Sequence, residues 1–285
     1  MFSTMNLQND DLKSSGTDND ETLVLSFSRI QEFETCPKRY WFSKVLKLSV
    51  PSNPRMVYGK ALHQAIEAYY LQISGEYVDG DLSKLGNAIE AFKRTFEIEN
   101  YEGFHSKRHL ERVFELGKQV IEEFHERNKF YSRKILAIEK KFKFNWNATI
   151  EFNGVMDLIE DHSDLTKNEK NFVIVDFKSN LLEDAKLRRI GKDNLQLSVY
   201  AWAFEKMHFF DLSEFIPPPI VKVAIESIET VRRYVETPLS TSFVEDKLFK
   251  IANSIRSEDF NAKPSFFACS ICPFQTICED SKLKM

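Results

Sequence analysis

The stretch FVIVDFK, residues 172–178, decides the reading of this chain. Four apolar residues in succession, all of them β-branched or aromatic, predict a central strand covered on both faces. The run ends in Asp176-Phe177-Lys178. Side chains two apart on a strand share a face, so Asp176 and Lys178 point one way and Phe177 the other. A carboxylate and an ammonium therefore sit side by side at the end of an apolar strand, where burial is costly unless something compensates it. Two readings of the residues stand open. One is a plain strand-end ion pair, and Asp-x-Lys is common enough that the pair alone favours it. The other is a hard-metal site, in which carboxylate oxygens hold Mg²⁺ or Mn²⁺ and the lysine faces the reacting group.

Working outward, ILAIEKKFKFN (135–145) and ATIEFNGVMDLIE (148–160) alternate apolar and polar residues and read as two strands, with a hairpin turn expected at Trp146-Asn147. A polar loop follows at 161–171. Downstream, NLQLSVYAWAFEKM (194–207) is helical, and PIVKVAIESIE (219–229) and VRRYVE (231–236) read as strands that could pair. STSFVEDKLFKIANSIRSE (240–258) is a final helix capped by Ser240 or Thr241. Upstream the texture is helical. SFSRIQEFETCPKRYWF (26–42) gives two short helices broken at Cys36-Pro37, with Ser26 and Ser28 as candidate caps. MVYGKALHQAIEAYYLQI (56–73) carries an apolar stripe at helical period, and two further amphipathic helices fit 84–98 and 107–131. The order predicts one mixed α/β domain with a helical N-terminal part over 23–285.

Composition excludes several classes. With 285 residues, 42% hydrophobic and 29% charged, the chain is an ordinary globular one. The 25 phenylalanines read as core filler. A net charge of −4 gives no global basic field, although a local patch or bound metal can reverse the sign where it matters. No run approaches the length of a membrane span. Residues 1–22 are polar and acidic, lack the features of a signal or transit peptide, and read as a disordered tail on an intracellular, cytoplasmic protein, nucleoid-associated if prokaryotic.

The spacing now becomes informative. GVMDLI (154–159), VIVDFKS (173–179) and QLSVYAWAF (196–204) together resemble the PD-(D/E)xK nuclease superfamily, specifically its RecB/AddB-like branch, which reads G-x-x-D, D-x-K, Q-x-x-x-Y in that order. YGKALHQAIEAYY (58–70) is similar to the family's G-x-x-x-H helix, and AIEKKFKF (137–144) to its glutamate-bearing first strand. The resemblance implies a restriction-endonuclease-like core, a central mixed sheet flanked by helices. It implies His63, Asp157, Asp176 and the Phe177 carbonyl as metal ligands, Lys178 as catalytic lysine, and Gln196 and Tyr200 as contacts to the site or to DNA. Glu139 is a weaker carry-over. The residues taken singly also admit plainer roles: His63 and Glu67 as a surface i,i+4 pair, Gln196 and Tyr200 as one face of any amphipathic helix, Glu139 as an outward strand residue. The ordered set of five is much rarer than any member. The implied activity is Mg²⁺- or Mn²⁺-dependent hydrolysis of DNA, as an exonuclease on ends or single strands in repair or recombination. The competing reading is a catalytically silent DNA-binding or helicase-partner subunit.

The chain has four cysteines. Three crowd into ACSICPFQTICED (268–280) as Cys269, Cys272 and Cys278; the fourth, Cys36, lies more than 200 residues earlier. In a reducing compartment, clustered cysteines are more often metal ligands than disulfides. Members of the same branch, including the CRISPR-adaptation nucleases, place one cysteine before the nuclease motifs and three after them around a [4Fe–4S] cluster. The resemblance implies that cofactor here, in a C-terminal Fe–S tail; a structural Cys₄ zinc has the same ligands. Contact with DNA, single-stranded or at duplex ends, is expected from KRYWFSK (38–44), with Lys38 and Arg39, and from KLRRIGK (186–192), with Arg188 and Arg189. For 38–44 a solvated helix face with buried aromatics is an equal alternative.

Overall fold

In the computed structural model, the described residues are 22–50, 53–74, 83–98, 104–164, 166, 169–179, 182–207 and 220–283. The expected acidic tail lies, but for its last residue, outside them.

Among the described residues, six strands form one mixed sheet. Their spans are β1 (Leu23–Leu25), β2 (Lys134–Asn147), β3 (Ile150–Asp161), β4 (Asn171–Lys178), β5 (Ile220–Ser227) and β6 (Arg233–Glu236). The path runs β1-β3-β4-β5-β6, with β2 on the remaining edge of β3. β1 is parallel to β3 and β4 to β5; the other pairs are antiparallel. β4 is buried from Phe172 to Phe177, as its apolar run predicts for a strand with neighbours on both edges and cover on both faces.

Two helical layers supply that cover. On one face lie α3 (Pro54–Ser74), α4 (Lys84–Ile98) and α5 (Lys107–Asn128), packing Tyr70, Phe92 and Phe124 against Leu158, Val173, Val175 and Phe177. On the other lie α1 (Phe27–Thr35), α2 (Pro37–Tyr40), α7 (Leu195–Lys206) and α8 (Thr241–Arg256), closing over Phe152, Met156, Ile159, Phe172 and Ile174. Ser26 caps α1 and Ser240 caps α8. Between β4 and α7 lies a further helix, α6 (Asp184–Gly191), and α9 (Phe266–Ser270) precedes the last cysteines. Phenylalanine largely serves as core filler, with Phe144 and Phe152 against Trp202 and Phe142 stacked on Phe152 on one side.

Three details depart from the sequence reading. The β2–β3 turn falls at Ala148-Thr149, just after the expected Trp146-Asn147, because β2 continues to Asn147. The strand Leu23–Leu25, helix α6 and helix α9 had no expectation, being too short or too polar to show a period. A π-helical turn, Trp41–Val45, follows α2.

One buried polar network braces the sheet. Glu160 is fully buried and accepts from Arg233 Nη1 and Nη2 at 2.7 and 3.0 Å, and from Tyr131 Oη at 2.5 Å. Arg233 also pairs with buried Glu226. Burial pushes the Glu160 carboxyl up, but Arg233, Tyr131 and His162 outweigh it and hold it down at about 2.

Candidate active site

The site sits where β3 changes partner. On one edge β3 pairs first with β1, at Ile150–Phe152, and only from Leu158 with β4. Between them, among the described residues, Asn153–Asp157 pairs with no strand on that edge, and an open cleft enters there. It is lined by Gly154 and Asp157 of β3, the 176–179 end of β4, His63 of α3, Gln196 and Tyr200 of α7, and Ser26, Ser28 and Gln31 at the start of α1.

Asp176 and Lys178 do share a face, as the two-residue period requires. Lys178 Nζ lies 2.7 Å from Asp176 Oδ2 and donates to Gln196 Oε1 at 3.1 Å. The Gln196 amide nitrogen donates to Asp176 Oδ1 at 2.9 Å and to the Tyr200 hydroxyl at 3.1 Å. One turn of α7 thus fixes both members of the β4 pair. The i,i+4 spacing of Gln196 and Tyr200 serves the site itself.

Asp176 is 4% exposed, yet its Oδ2 makes no hydrogen bond of acceptable geometry, the lysine being close but poorly aligned. A buried carboxylate oxygen left in this state is unusual. Asp157 is turned toward β4, its Oδ2 accepting the Phe177 amide at 2.7 Å. His63 Nδ1 stands 3.7 Å from the same oxygen. The approach of α3 depends on Gly59, one turn before His63: a Cβ there would lie 3.0 Å from Ser179 Oγ. Gly154 serves differently, because a Cβ there would meet the Phe142 ring at 2.5 Å.

Glu139 belongs to this cluster, more firmly than the sequence suggests. His63, Glu139 and Asp157 each offer a ligand atom within 4.8 Å of the others. The plainer reading of Glu139 as an outward strand residue assumes unbroken alternation. The β2–β3 pairing runs Ile138↔Leu158, then Lys140↔Met156. Ile138 and Leu158 pack toward α3–α5, whereas Phe142 and Met156 pack toward α7. Both strands change face around Glu139 and Asp157, and Glu139 has φ of 45°, rare for a residue with a side chain. No motif spacing encodes that break.

The electrostatics follow from crowding acids in a low-dielectric cleft. Burial, then the neighbouring Asp176, raise the Asp157 carboxyl well above its usual range, and Glu139 adds to this. Burial and Glu67 raise Glu139 to about 7. Burial lowers the His63 imidazole, against the opposing pull of Asp176, so it is neutral and able to ligate near neutral pH. Oxygen donors with one imidazole, gathered in an acidic cleft, form a possible site for a divalent metal ion.

The other expected residues lie elsewhere. Lys38 pairs with Asp280 at 2.6 Å, and Arg39 with Glu32 at 3.5 Å. Tyr40 stacks on Phe260 and Phe42 packs on Phe274, so two aromatics of 38–44 are bound into the C-terminal segment. Arg188 and Arg189 are exposed on α6 and do not line the cleft. Cys36, Cys269, Cys272 and Cys278, distant in sequence, line one common pocket.

Against known families, the model of the PD-(D/E)XK nuclease superfamily matches residues 24–279. The chain belongs to that superfamily. Among solved structures, it is similar to an Eubacterium rectale protein provisionally named an exonuclease, at 12% identity, covering 90% of this chain and 86% of that one with a TM-score of 0.45. It is also similar to the protein SSO0001, at 15% identity over 90% and 98% of the two chains, with a TM-score of 0.32. No curated protein matches it. Nucleases of this superfamily use divalent metals and act on nucleic acid. No described helix is long and apolar enough to cross a membrane.

Proposed function

We propose that the protein is a Mg²⁺- or Mn²⁺-dependent deoxyribonuclease of the RecB/AddB-like branch, acting as an exonuclease on DNA ends or single strands in repair or recombination. The observation that carries the reading is the convergence of His63, Glu139, Asp157 and the under-partnered Asp176 Oδ2 beside Lys178 in one open cleft. Asp157, Asp176, His63 and the Phe177 carbonyl would hold the metal, with Glu139 in reach. When bound, the ion supplies Lewis acidity and lowers the pKa of water. Lys178, held between Asp176 and Gln196, would stabilise charge gathering on the phosphate oxygens, and its ammonium would orient the attacking water. Gln196, braced by Tyr200, keeps that ammonium in place. Lys38, Arg39, Arg188 and Arg189 are candidate phosphate contacts at the margins.

We propose further, from the resemblance to the cluster-bearing branch, that the four cysteines of the common pocket hold a [4Fe–4S] cluster, with a structural zinc as the alternative. The cluster would tie the α1–α2 segment to the C-terminal tail, which with residues 23–285 forms one nuclease domain. The protein would work in the cytoplasm, with a helicase or other repair protein as partner.

The test is cleavage of labelled single- and double-stranded DNA with Mn²⁺. Wild type should cut, and Asp176→Ala, Asp157→Ala and Lys178→Ala should not, while circular dichroism shows an unchanged fold. Appreciable activity in Asp176→Ala sinks the assignment. A wild type that binds DNA without cutting it would favour the silent-subunit reading.

A further inference from the structure

Beside the cleft runs a second groove that the motifs do not use. It passes from Ser28 and Gln31, which also line the metal cleft, toward the wall formed by α9. Its sides are unusually apolar for an exposed surface. Phe267 is 74% exposed, Met56 55% and Ile271 54%, with Val50 opposite. Its two cations, Arg39 and Lys44, share the single carboxylate of Glu32 at 3.5 and 3.3 Å, which leaves one net positive charge along the groove. Cys272 lines both this groove and the cysteine pocket, so the Cys36 segment and the C-terminal cysteines meet at its base.

We infer that this groove carries a single strand of nucleic acid into the cleft, its bases packed on Phe267, Met56 and Ile271. The inference rests on the nuclease reading above and names the form of its substrate. The groove is continuous with the cleft through Ser28 and Gln31, so a strand whose phosphate reaches Asp176 has this surface next in line. Single strands expose π-faces that an apolar, aromatic wall can stack, independent of sequence. A duplex hides its bases, so an apolar wall offers it little, whereas the one net positive charge left by Arg39 and Lys44 on a single Glu32 suits the phosphates of a strand whose bases stack. Exposed apolar surface of this kind marks a binding face.

The experiment titrates wild type, Phe267→Ala and Met56→Glu into a labelled oligothymidylate of about 20 nucleotides in EDTA, following anisotropy. Both positions are exposed, so both variants should fold. Phe267→Ala should bind about five- to a hundredfold more weakly, the range that loss of a base–aromatic stack produces, and Met56→Glu should also weaken binding by setting a carboxylate against the strand. Binding of a hairpin-capped duplex should be weak and unchanged. Hydrolysis of bis(p-nitrophenyl) phosphate with Mn²⁺, a substrate too small to reach the groove, should be equal in all three proteins. Wild-type oligonucleotide affinity in both variants, as expected if the groove instead receives a peptide, overturns the inference, as does duplex binding that matches the single strand and falls with it. If no protein hydrolyses the small substrate, the nuclease reading fails, and the EDTA titration still decides the groove.

Discussion

The acids of the cleft should make metal binding strongly pH-dependent, and Glu139 is the residue on which to test it. Burial, with Glu67 close by, raises its carboxyl to about 7. A metal must displace the proton that this group holds. With a midpoint of about 7, roughly one Glu139 in eleven is ionised at pH 6 and ten in eleven at pH 8. That group alone should tighten apparent Mn²⁺ affinity by about tenfold between those values, and raised Asp157 should steepen the slope further. The assay is calorimetric Mn²⁺ titration of the metal-free protein at pH 6, 7 and 8 in two buffers of different ionisation enthalpy, which counts the protons released. Glu139→Gln should bind more weakly at pH 8 and lose about one proton's worth of slope. The sign for stability is the reverse. A carboxyl raised from 4.5 to about 7 by folding makes the metal-free protein less stable as pH climbs through that window, and the glutamine should remove the loss. Equal wild-type affinity at pH 6 and 8, or an undiminished slope in Glu139→Gln, would refute the reasoning.

Other outcomes follow from the packing. Glu160→Ala should cost about 3–5 kcal/mol by leaving Arg233 buried without its bidentate partner, read by urea unfolding. Because the Glu160 carboxyl is held at about 2, its stabilisation is present above about pH 4.5 and lost as pH falls through 2. Gly154→Val should force the Phe142 ring aside and cost about 1–3 kcal/mol, with β3 and the Asp157 carboxylate displaced and cleavage reduced. Anaerobically purified protein should be brown, and Cys36→Ser should bleach it and lower the melting temperature. A colourless wild type that retains zinc would replace the cluster.

Much of the molecule is legible because local physics writes it directly. The six buried residues of β4, the capped helices α1 and α8, and the shared face of Asp176 and Lys178 each follow from a period or a cap within a few residues. So do the identities of Gln196 and Tyr200 as a one-face pair on α7. The pairing of distant elements has no such signature. Three-residue β1 and five-residue α9 are too short to declare themselves, and their places depend on what lies beside them.

The sequence determined which side chains could do chemistry, in what order they come, and which pairs share a face. Tertiary structure decided where they meet. The exchange of β1 for β4 along one edge of β3 opens the cleft, and the break in alternation at Glu139 turns an apparent surface residue toward His63 and Asp157. Packing of Tyr40 and Phe42 on Phe260 and Phe274 brings Cys36 to the three C-terminal cysteines. Periodicity reports on neighbours a few residues apart, whereas these contacts join residues separated by tens to hundreds of positions, and their free energy arises only once the sheet and both helical layers have formed.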